Sequence, residues 1–251
     1  MSKDTGVPDE NDLTPIGNCR MCQYRMNLLL GGRCTPGDIC IAVDSGRQID
    51  RFLRFNPELA PHYLKDGFWE RRAIAVRYSP QAALSSMIRD PDEAVRRAVA
   101  YRLPREELHA LINDPDREVR ITVADRIPVE QLEQMADDVD YLVRTYVVAR
   151  LPTGRLFRFI RDKDRQVRKR VAERLPPESL VLMSQDPEPE VRRIVASRLE
   201  GDDIKLMLTD PDWTVRLEAA MNAPVDVLPA LLNDEDSEVR DVAASRLQEE
   251  A

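Results

Sequence analysis

The most distinctive chemistry in this 251-residue chain lies in four cysteines, Cys19, Cys22, Cys34 and Cys40, all within "CRMCQYRMNLLLGGRCTPGDIC". No cysteine occurs beyond Cys40. A C-x2-C pair sets two thiolates within bonding distance of one metal. Gly31–Gly32 and the "TPGD" at 35–38 are turn sequences able to fold the other two back towards it. Four thiolates suit tetrahedral zinc or a four-iron cluster equally well. The spacing, C-x2-C-x11-C-x5-C, is neither the compact run of bacterial ferredoxins nor the paired knuckles of a zinc ribbon. Spacing alone therefore leaves iron–sulfur and zinc open, with disulfides or unligated thiols as lesser alternatives.

Other candidate chemistry is thin. His62 and His109 stand alone, with no acid or nucleophile at a relay spacing. "LLLGGRC" lacks the Lys-Ser/Thr and the strand–helix context of a phosphate loop. No enzyme site is expected. The polar start "MSKDTGVPDENDLTP" has no apolar signal core, and no run approaches the 18 apolar residues of a membrane span. The expected location is the cytoplasm, away from any membrane, where thiols stay reduced and clustered cysteines more often hold metal than pair. Net charge is −8, which argues against a general nucleic-acid binder. Arginine far outnumbers lysine, so the sequence favours a planar cation with several donors.

The elements that must position the cysteines are set by the long remainder of the chain. From Asp90 it repeats every 24 residues without insertion or deletion: 90–113, 114–137, 138–161, 162–185, 186–209, 210–233 and a truncated 234–251. A divergent first copy, "DGFWERRAIAVRYSPQAALSSMIR", occupies 66–89. In "DPDEAVRRAVAYRLPREELHALIN" the opening Asp is expected to cap a helix, with Pro at the first helical position. The next acid, four residues before an arginine, is expected to pair with it. Val95, Val99 and Leu103 recur at helical spacing, with Ala100 small enough for close helix approach, and Pro104 stops the helix. About ten residues then carry apolar groups three apart, such as Leu108 and Leu111, the spacing of a short 3-10 helix. No such unit buries its own stripe, so the units must stack into a solenoid.

One arginine recurs in all eight copies: Arg72, Arg96, Arg120, Arg144, Arg168, Arg192, Arg216 and Arg240. A second recurs at Arg102, Arg126, Arg150, Arg174, Arg198 and Arg246. Their phasing with the aspartates predicts a stacking role, in which forked hydrogen bonds tie carboxylates and helix ends together. The basic excess at 150–175, including Arg155, Arg158 and Lys169, is the one place where an anion-binding stripe competes with that reading.

The units "DPDxxVRxxVAxRLPxxxLxxL" resemble the leucine-rich repeat variant family, and a four-cysteine segment ahead of such repeats resembles its 4Fe–4S-binding members from nitrogen-fixing bacteria. The resemblance implies an all-α, right-handed solenoid of alternating α- and 3-10 helices, preceded by a small cluster domain. It also implies that Cys19, Cys22, Cys34 and Cys40 are the cluster ligands. The expected division is 1–65 for the cysteine segment and 66–251 for eight repeats. Phe68, Trp69, Arg71 and Tyr78 break the pattern in the first repeat, and docking against the cysteine segment would account for them. The expected function is a protein-interaction scaffold with a redox or electron-transfer role, linked to nitrogen fixation, whose partner is an unidentified protein. Two alternatives stand beside it: a non-redox scaffold whose cluster or zinc site only caps the solenoid, and, more weakly, a nucleic-acid-binding helical repeat.

Overall fold

A computed structural model describes residues 14–249. The chain forms two compact bodies, one up to Arg126 and one from Ile127. In the first, a single helical turn at Arg25–Leu29 and an isolated antiparallel bridge between Thr35 and Ile39 come after the first two cysteines. An α-helix at Gly46–Phe55 and a 3-10 helix at Pro57–Tyr63 come next. The repeat alternation then begins: α-helix Trp69–Tyr78, 3-10 helix Gln81–Met87, α-helix Glu93–Arg102, 3-10 helix Arg105–Leu111 and α-helix Arg117–Arg126.

The second body opens with a short α turn at Val129–Leu132 that tightens to 3-10 at Glu133–Met135. Its α-helices are Tyr141–Arg150, Arg165–Ala172, Pro189–Ala196, Trp213–Asn222 and Ser237–Glu249. The 3-10 helices Thr153–Phe159, Pro177–Met183, Gly201–Met207 and Val225–Asn233 separate them. Among the described residues no helix is long and apolar enough to cross a membrane.

The local causes are visible in one repeat. Val95, Val99, Ala100, Leu103 and Leu108 are fully buried. The last helical hydrogen bond runs from the Leu103 amide to the Val99 carbonyl at 2.8 Å. Leu103 then turns extended (ψ 147°), as the residue before proline must, and Pro104 heads the 3-10 helix. Ten α residues and seven 3-10 residues therefore fill one period and leave only short turns.

The N-terminal ends of several repeat helices correct the expectation, although Glu188 accepts no capping bond and Pro189 there does head its helix. Asp92, not Asp90, is the N-cap, accepting from the Ala94 amide at 3.0 Å. Asp140, Asp164 and Asp212 cap their helices in the same way. Asp90 instead accepts from the Asp92 amide at 2.9 Å, one turn earlier, and Pro91 lies before the helix rather than inside it. Because the capping carboxylate is turned onto its own amides, the Asp92–Arg96 pair does not form. Arg96 donates through Nε and a terminal nitrogen to both oxygens of Asp114, eighteen residues on, at 2.8 and 3.0 Å. Its other terminal nitrogen donates to the carbonyls of Asp90 and Pro91.

The same fork joins Arg72 to Asp90, Arg144 to Asp162, Arg168 to Asp186, Arg192 to Asp210 and Arg216 to Asp234. The second arginine set reaches back to the preceding helix end. Arg102 donates to the carbonyls of Val76 and Ser79, Arg174 to those of Val148 and Leu151, and Arg246 to those of Ala220 and Ala223. These carbonyls are the acceptors a helix end leaves unpaired. Burial, followed by repulsion from Arg105 and Arg170 respectively, pushes the Arg126 and Arg174 guanidinium groups down from their ordinary value.

Removing one partner of a buried fork strands the other, so Arg192→Ala should cost about 3–5 kcal/mol in urea unfolding. Arg192→Lys should recover little, because an ammonium cannot bridge two carboxylate oxygens and two carbonyls in one plane. Arg155→Ala, on an exposed pair with Glu133, should cost no more than about 1 kcal/mol. Equal losses at the two sites would refute the ladder as the main tie. The Arg216 hydrogen bonds hold the Asp234 carboxyl below its ordinary range, with burial opposing them. A depressed native pKa stabilises the fold in full above the unfolded value of about 4, and the contribution is lost as pH falls through the native one. Asp234→Asn should accordingly flatten the acid limb of a stability–pH curve.

Candidate iron–sulfur site

Cys19 and Cys22 flank one turn, with the Cys22 amide donating to the Cys19 carbonyl at 3.4 Å. The Arg25–Leu29 turn carries the chain away, and Gly32 (φ 70°) reverses it. A side chain at Gly31 would stand 2.7 Å from the Asn27 carbonyl oxygen, so the reversal packs too closely for one. Cys34 precedes the Thr35–Ile39 bridge, whose turn contains Gly37 at φ 79°, and Cys40 lies just beyond it. The "GG" and "TPGD" stretches therefore turn the chain as expected.

These turns bring all four cysteines to the wall of one cavity, together with Arg25, Leu29, Pro36, Ile39, Ile41 and Phe52. Cys40 is buried and the other three are half-buried; none is in a disulfide. Burial, followed by the proximity of Cys22, Cys19 and Cys40, raises the Cys34 thiol above its ordinary pKa. Among the described residues no group of three or more His, Cys, Asp or Glu side chains is arranged to hold one metal ion, and the thiols ring a hollow instead. The donor set is all sulfur, with no carboxylate or imidazole in the wall, which suits a soft iron–sulfur group rather than a hard cation.

The helix Gly46–Phe55 is the floor of this site. Phe52 lines the cavity and stacks at 5.4 Å on Tyr24, whose hydroxyl lies 2.8 Å from that of Tyr63. Burial, with the Tyr24 hydrogen bond, drives the Tyr63 hydroxyl well above its ordinary pKa. The Cys40 amide donates to the Gln48 carbonyl at 3.3 Å, and the Gln48 side-chain amide donates to the Pro15 carbonyl at 2.9 Å. Asn56 donates to the Arg33 carbonyl at 3.1 Å, and Arg33 donates to the Phe55 carbonyl and to Glu58. Sequence reasoning did not single out Gln48, Asn56, Tyr24 or Tyr63. The one available signal was amide residues at otherwise apolar helix positions in "RQIDRFLRFN".

The irregular residues of the first repeat are explained here. Arg71, standing where later repeats have valine, donates to Asp44 (2.8 Å), to the Val43 carbonyl (3.3 Å) and to Asp66 (2.6 Å). Tyr78 donates to Asp50 at 3.0 Å, and Phe68 stands at the N-cap with no side-chain acceptor for the first turn. The first repeat thus meets the loop after Cys40 through polar contacts where later repeats meet a neighbour through valine.

The competing reading of 150–175 as an anion-binding stripe finds most of its named cations already paired. Arg158 pairs with Asp137 at 2.8 Å, Lys169 with Glu190 at 3.1 Å, Arg170 with Glu173 at 2.8 Å, and Arg155 with Glu133. These cations meet carboxylates already on the surface.

The fold and the thiol-lined cavity define a helical repeat protein with a four-thiol metal site, and comparison with known proteins gives it a family and the metal. Residues 16–62 match the family description "LRV protein FeS4 cluster", and 93–116, 117–140, 165–188 and 189–212 match the leucine rich repeat variant. A solved structure described as "a leucine-rich repeat variant with a novel repetitive protein structural motif" is 71% identical, with a TM-score of 0.91. That match covers 93% of this chain and 100% of the other. The chain belongs to the leucine-rich repeat variant family and carries its iron–sulfur cluster domain. A Rhodobacter capsulatus protein described as an uncharacterized 27.7 kDa protein in the nifB 3' region is 38% identical over 86 residues. The shared stretch spans 34% of this chain and 35% of that relative.

Replacing Cys34 by serine should remove most of the iron and acid-labile sulfide from anaerobically purified protein. Gly17→Ala should lower both as well, because the added carbon would sit 2.9 Å from the Cys40 sulfur. Full cluster content in either variant would show that the site is assigned wrongly.

Proposed function

We propose that this protein is a cytoplasmic interaction scaffold whose cluster is a redox centre, working in a nitrogen-fixation setting and carrying no catalytic site of its own. Cys19, Cys22, Cys34 and Cys40 would hold the cluster, which supplies one-electron chemistry when bound. The observation that carries the reading is the half-exposed state of Cys19, Cys22 and Cys34. A thiol set near the surface leaves a cluster within reach of a redox partner, whereas a purely structural site gains from full enclosure. The position of the Rhodobacter relative beside nifB supports the setting. The repeat array supports the scaffold, since stacked helical units offer an extended surface for a protein partner.

A second reading has its own observation. The cysteine segment covers the first repeat through Arg71, Asp44 and the Val43 carbonyl, as an end cap would. The nucleic-acid reading loses support, because the ladder arginines and Arg158 and Lys169 are engaged by carboxylates rather than left for phosphates.

The deciding measurement is visible absorption with iron and sulfide content, before and after dithionite, on protein purified without oxygen. A broad band that bleaches and returns on reoxidation is expected. A cluster that resists reduction, or a colourless protein with one zinc, would overturn the redox reading and leave only the cap.

A further inference from the structure

A groove of about 870 Å³ opens across three successive α-helices of the first body, Gly46–Phe55, Trp69–Tyr78 and Glu93–Arg102. Its cations differ from the ladder arginines, which are held by carboxylates. Arg47 and Arg97 are exposed and make no ion pair among the described residues. Arg77 reaches Asp50 only at 3.5 Å, and Asp50 already accepts from Arg54 at 2.6 Å and Tyr78 at 3.0 Å. The other acid in the groove, Glu70, lies against Gly46. The groove therefore presents uncompensated positive charge on a chain whose net charge is −8. Trp69 and Tyr101 stand exposed within it, 43% and 60% accessible. Tryptophan, tyrosine and arginine are the residues that dominate binding energy at protein interfaces.

The groove shares a wall with the cluster site. On the helix Gly46–Phe55, Phe52 lines the thiol cavity and the Gln48 carbonyl holds the Cys40 amide. Gly46, Arg47 and Asp50 of the same helix line the groove. The two hollows are separated by about one helix diameter, ~10–12 Å.

We infer that this groove docks an acidic one-electron carrier protein and that a single electron passes between its centre and the cluster across the helix Gly46–Phe55. The inference rests on the redox reading above and adds the partner's chemistry and its place. In the step, the reduced carrier loses one electron and the oxidised cluster gains it; no bond or proton need move. Arginines left unpaired at the rim steer an acidic surface inwards, and the aromatic pair supplies the dry centre of a small, transient interface.

The test uses the cluster-loaded full chain and a strongly acidic [2Fe–2S] ferredoxin as the probe. Calorimetry gives the Kd with both proteins oxidised, and stopped-flow absorption gives the rate at which reduced ferredoxin reduces the cluster. Both binding and rate should weaken steeply with added salt. The double variant Arg47→Glu, Arg97→Glu should lose at least about tenfold in each at low salt, with Tyr101→Ala changing in the same direction. Iron content, visible spectrum and reduction by dithionite should match the wild type in every variant. Wild-type binding and rate in the double variant would overturn the groove while leaving the redox reading intact. So would a loss carried instead by Arg20→Glu, on the cysteine turn, or self-association abolished by the same groove substitutions, which would make a second copy the occupant. A cluster that dithionite cannot reduce would overturn the redox reading and the carrier with it.

Discussion

The forked pair between an arginine and an aspartate eighteen residues later is the constraint on which the repeat architecture depends. Each fork has two fixed reaches. One terminal nitrogen holds the carbonyl six residues back, as Arg192 holds that of Asp186 at 2.7 Å. Nε and the other terminal nitrogen hold the next repeat's aspartate, as Arg192 holds Asp210 at 2.6 and 2.8 Å. Six and eighteen sum to the period of 24, so an insertion anywhere in a repeat would break one reach or the other. That accounts for an array without insertions and for the dominance of arginine, since no other side chain bridges both directions in one plane. It also accounts for the aspartate that does not cap: that carboxylate accepts from the preceding repeat's arginine while ordering its own turn.

The cysteine segment can be understood as the neighbour that stands before the first fork. A repeat buries its apolar stripe against neighbours, and the first repeat has no repeat behind it. Its valine position becomes Arg71 and its second arginine position becomes Tyr78, both bonded to the loop and helix beyond Cys40. The helix Gly46–Phe55 serves three surfaces at once: the thiol cavity through Phe52, the first repeat through Asp50, and the open groove through Arg47. Cluster and array are therefore mechanically continuous through one ten-residue helix, which is why capping and redox roles are compatible rather than exclusive.

Charge is arranged so that very little of it is available. The two arginine ladders are turned inward onto carboxylates and helix-end carbonyls, and much of the basic-looking stretch at 150–175 is paired with nearby acids. Counting charges along the chain thus overstates the anion-binding surface.

The sequence by itself determined the four thiols, the 24-residue period, the alternation of a proline-stopped α-helix with a 3-10 turn, and the membership of arginine and aspartate in one stacking system. These are legible because they depend on local periodicity, turn residues and side-chain chemistry, which short windows encode. Only the tertiary structure decided which aspartate caps and which pairs, since Asp90 and Asp92 differ by two positions and not at all in chemistry. It likewise decided that Arg96 reaches forward to Asp114 rather than back to Asp92, that Gln48 and Tyr63 brace the thiol cavity, and that Arg47 is left unpaired while Arg158 is not. Each of those outcomes depends on which surfaces meet when repeats stack. Contacts eighteen or more residues apart are fixed by packing geometry, and no local pattern carries that information.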